Sequence, residues 1–325
     1  MTDVRPGSAS AGPGRTLFGH RPRWLRLTVA GLLAGVVLEG RLLEPRRLRT
    51  REVTLSLPRW PQALSGVRVA VVSDLHAGSP GVDLAQVGRV AARITRLRPD
   101  LVLLLGDYFA DVRGGEHLDP YAVADALAPI LAVAPHAAVL GNHDWYAGGH
   151  RVRAALERAG FTVLEESATT VRLRGRDVWL AGVGDLWERR PDVAAALSGV
   201  PEDSPTLLLS HNPDCVLDVP PWVALTFAGH THAGQVSLFG RPVYEISPFT
   251  GNRFVRGGYD VAVPVGPVVP DVPPRPGEGA PDQVRPLYVC PGIGTSLVPW
   301  RLGVVPEVTV LELLAGAPGA CTLQG

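Results

Sequence analysis

The sequence contains no lysine: all 31 of its basic residues are arginine, and 31 acidic residues match them. A chain without an excess of either sign has no global field to draw it to a polyanion, so no nucleic-acid partner is expected. Cysteine is scarce. Cys215, Cys290 and Cys321 are odd in number and none stands in a C-x-x-C pair, which argues against a disulfide framework and against a cysteine-based zinc site. A full-length membrane span is missing as well. The charge-free run near the N-terminus, Leu27 to Leu38, is twelve residues long, against the roughly 20 apolar residues a span requires. No twin-arginine pair precedes it, and no small-x-small cleavage site follows it before the charged block.

What is present is length and loop-forming residues. A chain of 325 residues can bury one large core and carry an appendage. Its 37 glycines and 31 prolines point to long structured loops between short elements. Residues 1–23 form a small, polar, basic stretch expected to be disordered. Residues 24–43 are expected to form a membrane-anchor or amphipathic helix, with Trp24, Leu25, Leu42 and Leu43 extending the apolar run and its flanking arginines snorkelling. Membrane association through this single helix is the favoured reading and a helix packed on the domain is the alternative; similar arginine counts on the two flanks leave the orientation open.

From residue 53 the pattern changes. Val67 to Ser73, Leu101 to Leu105, Ala137 to Leu140, Thr206 to Leu209 and Val223 to Ala228 read as buried strands. Val82 to Arg98, Ala122 to Leu131 and His150 to Ala159 read as helices, the last closed by Gly160. Thr170 to Leu173 and Val178 to Val183 form a hairpin, Gln235 to Phe239 starts a return strand, and Leu287 to Cys290 and Val308 to Leu314 are late strands. Alternating strands and helices with added hairpins imply an α/β fold with mixed sheets.

Each of the five buried strands runs into a polar cluster: Asp74-Leu75-His76, Gly106-Asp107, Gly141-Asn142-His143-Asp144, His211 and Gly229-His230-Thr231-His232. Ligands collect at the carboxyl ends of strands in open α/β folds, so the five ends can converge on one site. Asp74, His76, Asp107, Asn142, His211, His230 and His232 are seven O and N donors, too many for one ion but suited to two ions that share a carboxylate.

In this order the motifs resemble the calcineurin-like metallophosphoesterases, over about Val67 to Leu314. The stretches SHNPD, GHTHAGQ, CPGIGTS and the late PWRL…PEVTVLEL are similar to the bacterial membrane-associated phosphodiesterase branch, which includes relatives of UDP-diacylglucosamine pyrophosphatase. The resemblance implies a four-layer α-β-β-α sandwich of two mixed sheets, occupying residues 53–315 with a tail at 316–325. It implies two transition-metal ions (Mn, Fe or Zn), one on Asp74, His76 and His232, the second on Asn142, His211 and His230, with Asp107 bridging. It implies that a metal-bridging hydroxide attacks phosphorus in line, with His143 assisting the leaving group. The substrate class is a phosphodiester or pyrophosphate, including lipid-linked and nucleotide-sugar compounds; a phosphomonoesterase or a non-catalytic scaffold on the same fold are the alternatives. Scaffolds lose such residues, and this chain keeps all eight.

One departure concerns His143. Many relatives carry an aspartate three positions after the bridging one, where this chain has Ala110. Asp111, Asp144 or a backbone carbonyl is left to orient the imidazole, and Asp144 has the further reading of a residue that ties down the loop. Arg253 and Arg256 read equally as ligands of substrate phosphate or as solvated loop residues. Asp185 and Trp187 line the mouth of the site or form a turn. Val261 to Gln283 carries seven prolines and is read as a loop insertion unable to join a sheet ladder.

Overall fold

A computed structural model describes residues 23–110, 115–244, 246–262 and 284–316 of the chain. It divides into two units, Met1–Leu38 and Glu39–Gly325. In the first, α1 (Arg23–Leu38) is a 16-residue helix with no buried residue. At 1.5 Å per residue it is about 24 Å long, short of the roughly 30 Å hydrocarbon core of a bilayer. Among the described residues no helix is long and apolar enough to cross a membrane. The expected membrane association through this single N-terminal helix is therefore corrected: the helix does not reach across a bilayer. The regular α-helix stops at Leu38, and the π-helical turn Glu39–Leu43 that follows contains Glu39 and Arg41.

In the second unit, β1 (Arg49–Leu57), β2 (Val67–Val72), β3 (Leu101–Leu104) and β4 (His136–Ala138) are interleaved with α2 (Leu84–Leu97) and α3 (Pro120–Leu127). Then come α4 (Asn142–Tyr146), α5 (Gly149–Ala159), β5 (Ser167–Leu173), β6 (Arg176–Gly182), α6 (Val193–Ala196), β7 (Thr206–Leu209) and β8 (Leu225–Ala228). The short ribbon β9 (Ser237–Leu238) and β10 (Arg241–Pro242) precedes β11 (Gly257–Ala262), β12 (Val284–Val289) and β13 (Glu307–Ala315). One sheet has the order β1-β13-β2-β3-β4 and the other β11-β12-β8-β7-β6-β5. Both are mixed: β2, β3 and β4 run parallel while β13 is antiparallel to β2, and β12, β8, β7 and β6 run parallel while β5 and β11 are antiparallel to their neighbours.

The strand sequences explain the layers. Alternate residues of a strand face opposite ways. Val69, Val71, Leu101 and Leu103 of the first sheet meet Leu180, Val178, Leu207 and Leu209 of the second in one central core. The other face of the first sheet, with Ala70, Val72, Val102 and Leu104, is covered by Val87, Val90 and Ile94 of α2, Val123 and Leu127 of α3 and Val152 of α5. Ala181 and Leu208 of the second sheet pack under Val193 and Ala196 of α6 and under Cys215. This is the expected α-β-β-α sandwich. The helix α2 starts at Asp83, whose carboxylate accepts from Gln86 N, and ends at Arg98 in the left-handed region (φ 46°). Pro99 follows at once and cannot continue a helix.

Three local expectations change. The sequence reading placed the charged N-terminal stretch before the domain as far as residue 52, yet β1 takes Arg49–Leu57 as an edge strand parallel to β13. Only Val53, Leu55 and Leu57 of it are buried, so the arginine-rich start hides a strand with one wet face. The Gly141 motif is not a loop: Asn142–Tyr146 is a one-turn helix whose Asp144 side chain reaches back to Gly141 N. The segment starting at Val261 does join a ladder for its first two residues, with Val261 opposite Arg285 and Ala262 opposite Val284. Its remainder, 263–283, lies outside the described residues.

Candidate active site

The carboxyl ends of β2, β3 and β4 from one sheet and of β7 and β8 from the other meet where the two sheets join. The chain leaves these ends sharply. Asp74 (φ 50°), His76 (φ 43°), Asp107 (φ 55°), His230 (φ 69°) and His232 (φ 50°) are all in the left-handed region. Asp and His tolerate that region better than most side chains, but such residues remain uncommon and cluster where function holds them. Two glycines make the approach possible. A Cβ on Gly141 would overlap Asp107 Oδ1, and one on Gly229 would overlap Ser73 Oγ. Both strand ends thus admit no side chain beside the carboxylates.

Asp74, His76, Asp107 and His232 offer donor atoms that all lie within 4.8 Å of one another, and so do Asp107, His211 and His230. His76 Nε2 is 3.4 Å from Asp107 Oδ2 and 3.0 Å from His232 Nε2. His211 Nε2 is 3.2 Å from the same Asp107 oxygen, and His232 Nε2 is 3.3 Å from Asp74 Oδ1. His230 turns its Nδ1 inward, 3.1 Å from Asn142 Oδ1 and 3.3 Å from His211 Nε2. All seven sequence-nominated donors are therefore in one cluster. The rings of His76 and His211 are fixed from behind, where Nδ1 donates to Phe109 O (3.1 Å) and Leu105 O (2.7 Å), leaving Nε2 toward the cluster. A backbone carbonyl behind the ring is the usual orienting contact of a metal-binding histidine.

Charge follows burial here. Desolvation raises the Asp74 carboxyl, against the pull of His211. Burial works the same way on Asp107, but the neighbouring His211 and His76 override it and hold this carboxyl well below the usual range. His211 is pushed well above the normal imidazole range: burial opposes this, and the charge and hydrogen bond of Asp107 outweigh it. Burial, then the His211 charge, lowers His230 to about 3, and burial with His76 and Arg301 lowers His232 well below normal. His230 and His232 are thus neutral imidazoles with lone pairs to give. Two buried carboxylates, the neutral imidazoles of His230 and His232, the Nε2 atoms of His76 and His211 and an amide oxygen form a hard O/N donor set, which fits divalent metal ions. His211 gives up its proton when a metal binds.

His143 lies at the mouth of this cluster, with Nε2 3.0 Å from Ser296 Oγ. Asp144 is turned elsewhere. Its Oδ2 accepts from Asp107 N (2.8 Å) and Gly141 N (2.9 Å), and its Oδ1 from Tyr108 N (2.8 Å). Burial, reinforced by the Asp107 charge, raises its carboxyl to about 7. Asp111, the other carboxylate considered for His143, lies outside the described residues. A cavity of about 210 Å³ opens over the cluster, walled by Asn142, His143, Tyr146, Trp187, Tyr244 and Leu297. Trp187 packs edge-on to His230 with ring centres 4.6 Å apart, while Asp185 Oδ2 caps the turn at Trp187 N and Glu188 N. Neither nominated arginine lines this cavity. Arg253 stacks on Phe254, and Arg256 borders a separate small cavity with Arg51 and Glu307.

Two residues escaped the sequence reading. Ser296 sits in the GTS stretch, which was noticed only as part of a family pattern. Arg301 is fully buried, donates to the carbonyls of Gly294 and Pro291, and places Nη2 3.3 Å from His232 Nδ1. Burial lowers its guanidinium to about 10. An arginine is ordinarily read as a surface residue, so only its spacing after Pro299-Trp300 could have marked it.

Residues 67–234 match the calcineurin-like phosphoesterase family. The chain belongs to this family. It is 35% identical over 256 residues to phosphodiesterase YaeI of Escherichia coli, covering 76% of this chain and 82% of that protein. The uncharacterized metallophosphoesterase YkuE of Bacillus subtilis is 29% identical over 90% of this chain and 97% of its own. The UDP-2,3-diacylglucosamine pyrophosphatase LpxG of Chlamydia trachomatis is 25% identical over 60% of this chain and 72% of its own. This metallophosphoesterase is accordingly a hydrolase of phosphoester bonds whose buried Asp/His cluster can bind metal.

Proposed function

We propose that this phosphoesterase is a dinuclear hydrolase of phosphodiester or pyrophosphate bonds. The observation that carries the reading is Asp107, whose carboxylate belongs both to the group with Asp74, His76 and His232 and to the group with His211 and His230. Asp74, His76 and His232 would hold one ion; Asn142, His211 and His230 would hold the other, with Asp107 between them. Mn, Fe and Zn all suit these donors. Such a pair supplies Lewis acidity toward a phosphoryl oxygen and a nucleophilic water at neutral pH.

The remaining work belongs to the chain. His143 holds a proton at Nε2 for the leaving oxygen, and the Ser296 hydroxyl beside it fixes the ring's attitude toward the cavity. Asp144 fixes the main chain that presents Asp107 and Asn142. Tyr146, Trp187, Tyr244 and Leu297 are exposed at the rim. That amphipathic wall supports a substrate with a sizeable organic group on the phosphate rather than a free phosphomonoester. YaeI is named a phosphodiesterase and LpxG is named for a diacylated nucleotide sugar. Both names fit that class, which is lipid-linked or nucleotide-sugar in the reading favoured here.

The test is a substrate panel on metal-reconstituted protein: an aryl phosphodiester, an aryl phosphomonoester, nucleotide-sugar pyrophosphates and lipid phosphodiesters. Two metal ions per chain and faster turnover of a diester or pyrophosphate are expected. At most one ion after reconstitution, or a preference for the monoester, refutes the reading.

A further inference from the structure

A second concave site lies along α2 and shares no lining residue with the catalytic cavity. It is a groove of about 240 Å³ bordered by Arg46, Gln86, Arg89, Arg93 and Arg96. Arg89, Arg93 and Arg96 follow one another at helical spacing, so they share a face and repel one another. The sequence places no acid among them. Asp83 is 3.9 Å from Arg89 Nη2, with both side chains more than half exposed; it and Glu116 border the adjoining cavity with Arg46 and Arg89 but do not line this groove. Arg46 Nη1 donates to Leu42 O (2.7 Å) and Arg93 Nη1 to Thr50 Oγ1 (3.3 Å). Neutral acceptors such as these fix a guanidinium without cancelling its charge.

A second observation points the same way. Gln86 lines the groove but is only 3% exposed. Its Oε1 accepts from Arg89 Nε, while its buried Nε2 makes no hydrogen bond. Among the described residues the lining therefore holds more hydrogen-bond donors than acceptors, with no carboxylate among them. In a chain of zero net charge this concentration does not follow from a basic composition.

We propose that the groove binds a phosphoryl anion. Guanidinium forks pair bidentately with phosphate oxygens. A tetrahedral dianion can accept from several forks at once, whereas a planar carboxylate serves one well. The volume of about 240 Å³ admits one phosphoryl group with a short appendage. The same chemistry can come from a free phosphate compound or from a phosphomonoester headgroup in a lipid surface.

The experiment compares the metal-loaded full chain with its R93Q/R96Q variant, Arg93 being half-buried and Arg96 exposed. Inorganic phosphate is titrated calorimetrically at constant ionic strength, and phosphate inhibition of aryl-diester turnover reads the catalytic cavity separately. The wild type should show a binding component outside the active site that the variant weakens at least about tenfold, the loss of one charge-assisted hydrogen bond or more. The inhibition constant should not change. Vesicles of phosphatidylcholine with and without phosphatidate form the second arm. Arginine-dependent binding to phosphatidate vesicles alone assigns the phosphoryl group to a headgroup. Identical behaviour of wild type and variant in both arms overturns the proposal.

Discussion

Replacing Asp144 by alanine separates two roles that its sequence position beside His143 leaves mixed. The carboxylate accepts from three main-chain N–H groups, those of Asp107, Tyr108 and Gly141, and is fully buried. Each buried donor left without an acceptor costs about 1–3 kcal/mol. The total is discounted because burial raises this carboxyl to about 7, so the wild-type ion is itself strained by desolvation. A net loss of about 3–5 kcal/mol follows, or a fall in Tm of roughly 6–20 °C for a domain of this size. The freed segments are those presenting Asp107 and Asn142, so metal content should fall as well. Asp144→Asn supplies the control. Its amide oxygen can keep the Asp107 and Gly141 contacts while its NH₂ faces Tyr108 N–H, so it should lose about 1–3 kcal/mol and retain more metal. Thermal unfolding with elemental analysis reads both. Unchanged stability and metal content in Asp144→Ala, with turnover alone reduced, would refute the clamp and restore a catalytic role.

Other substitutions divide binding from chemistry. His143→Ala should keep its metal and lose roughly two to four orders of magnitude in turnover, the range of a positioned general acid; loss of metal would make it a ligand. Asp107→Asn should lower the metal content of both positions, measured by elemental analysis, because the shared carboxylate loses its charge. Replacing residues 263–283 by a turn of about two to five Gly/Ser residues should preserve folding, metal content and activity on a small aryl phosphodiester, since Ala262 and Val284 already stand opposite each other in the β11–β12 ladder. Unfolding or loss of metal after that replacement would place the segment in the core.

The strands that carry the site were legible because each is apolar on both faces. A strand buried between two layers reads as a continuous run, and the polar residues that break the run are the ones at its carboxyl end. β1 was not legible for the opposite reason: it is an edge strand whose buried set, Val53, Leu55 and Leu57, alternates with charged and polar residues. Side-chain direction was hidden too. Asp144 follows His143 in the chain, but on a one-turn helix neighbouring side chains diverge, and its carboxylate returns to the main chain. Arg253 and Arg256 were nominated by proximity in sequence, which says nothing about which cavity a loop residue borders. Arg301 inverts the usual rule for a charged residue: backbone carbonyls three to ten positions away satisfy it.

The strained backbone explains why the donors and the core form one unit. Five donor residues at positive φ cost about 1–3 kcal/mol each. Even with the lower figure appropriate to Asp and His, that sum is comparable to the whole net stability of an ordinary domain. The strain must be offset locally, and the contacts that do so are visible. Asp74 N donates to Gly106 O and His76 N to Asp107 O, continuing the β2–β3 pairing past the end of the strands. His230 N donates to the Asp74 carboxylate, which joins the two sheets. Gly141 and Gly229 let those loops close to a distance no side chain permits. A donor held this way cannot relax away from its neighbours without unpairing a sheet edge. The geometry of the cluster is therefore set by the sheets, through left-handed backbone conformations that are uncommon for residues with a side chain.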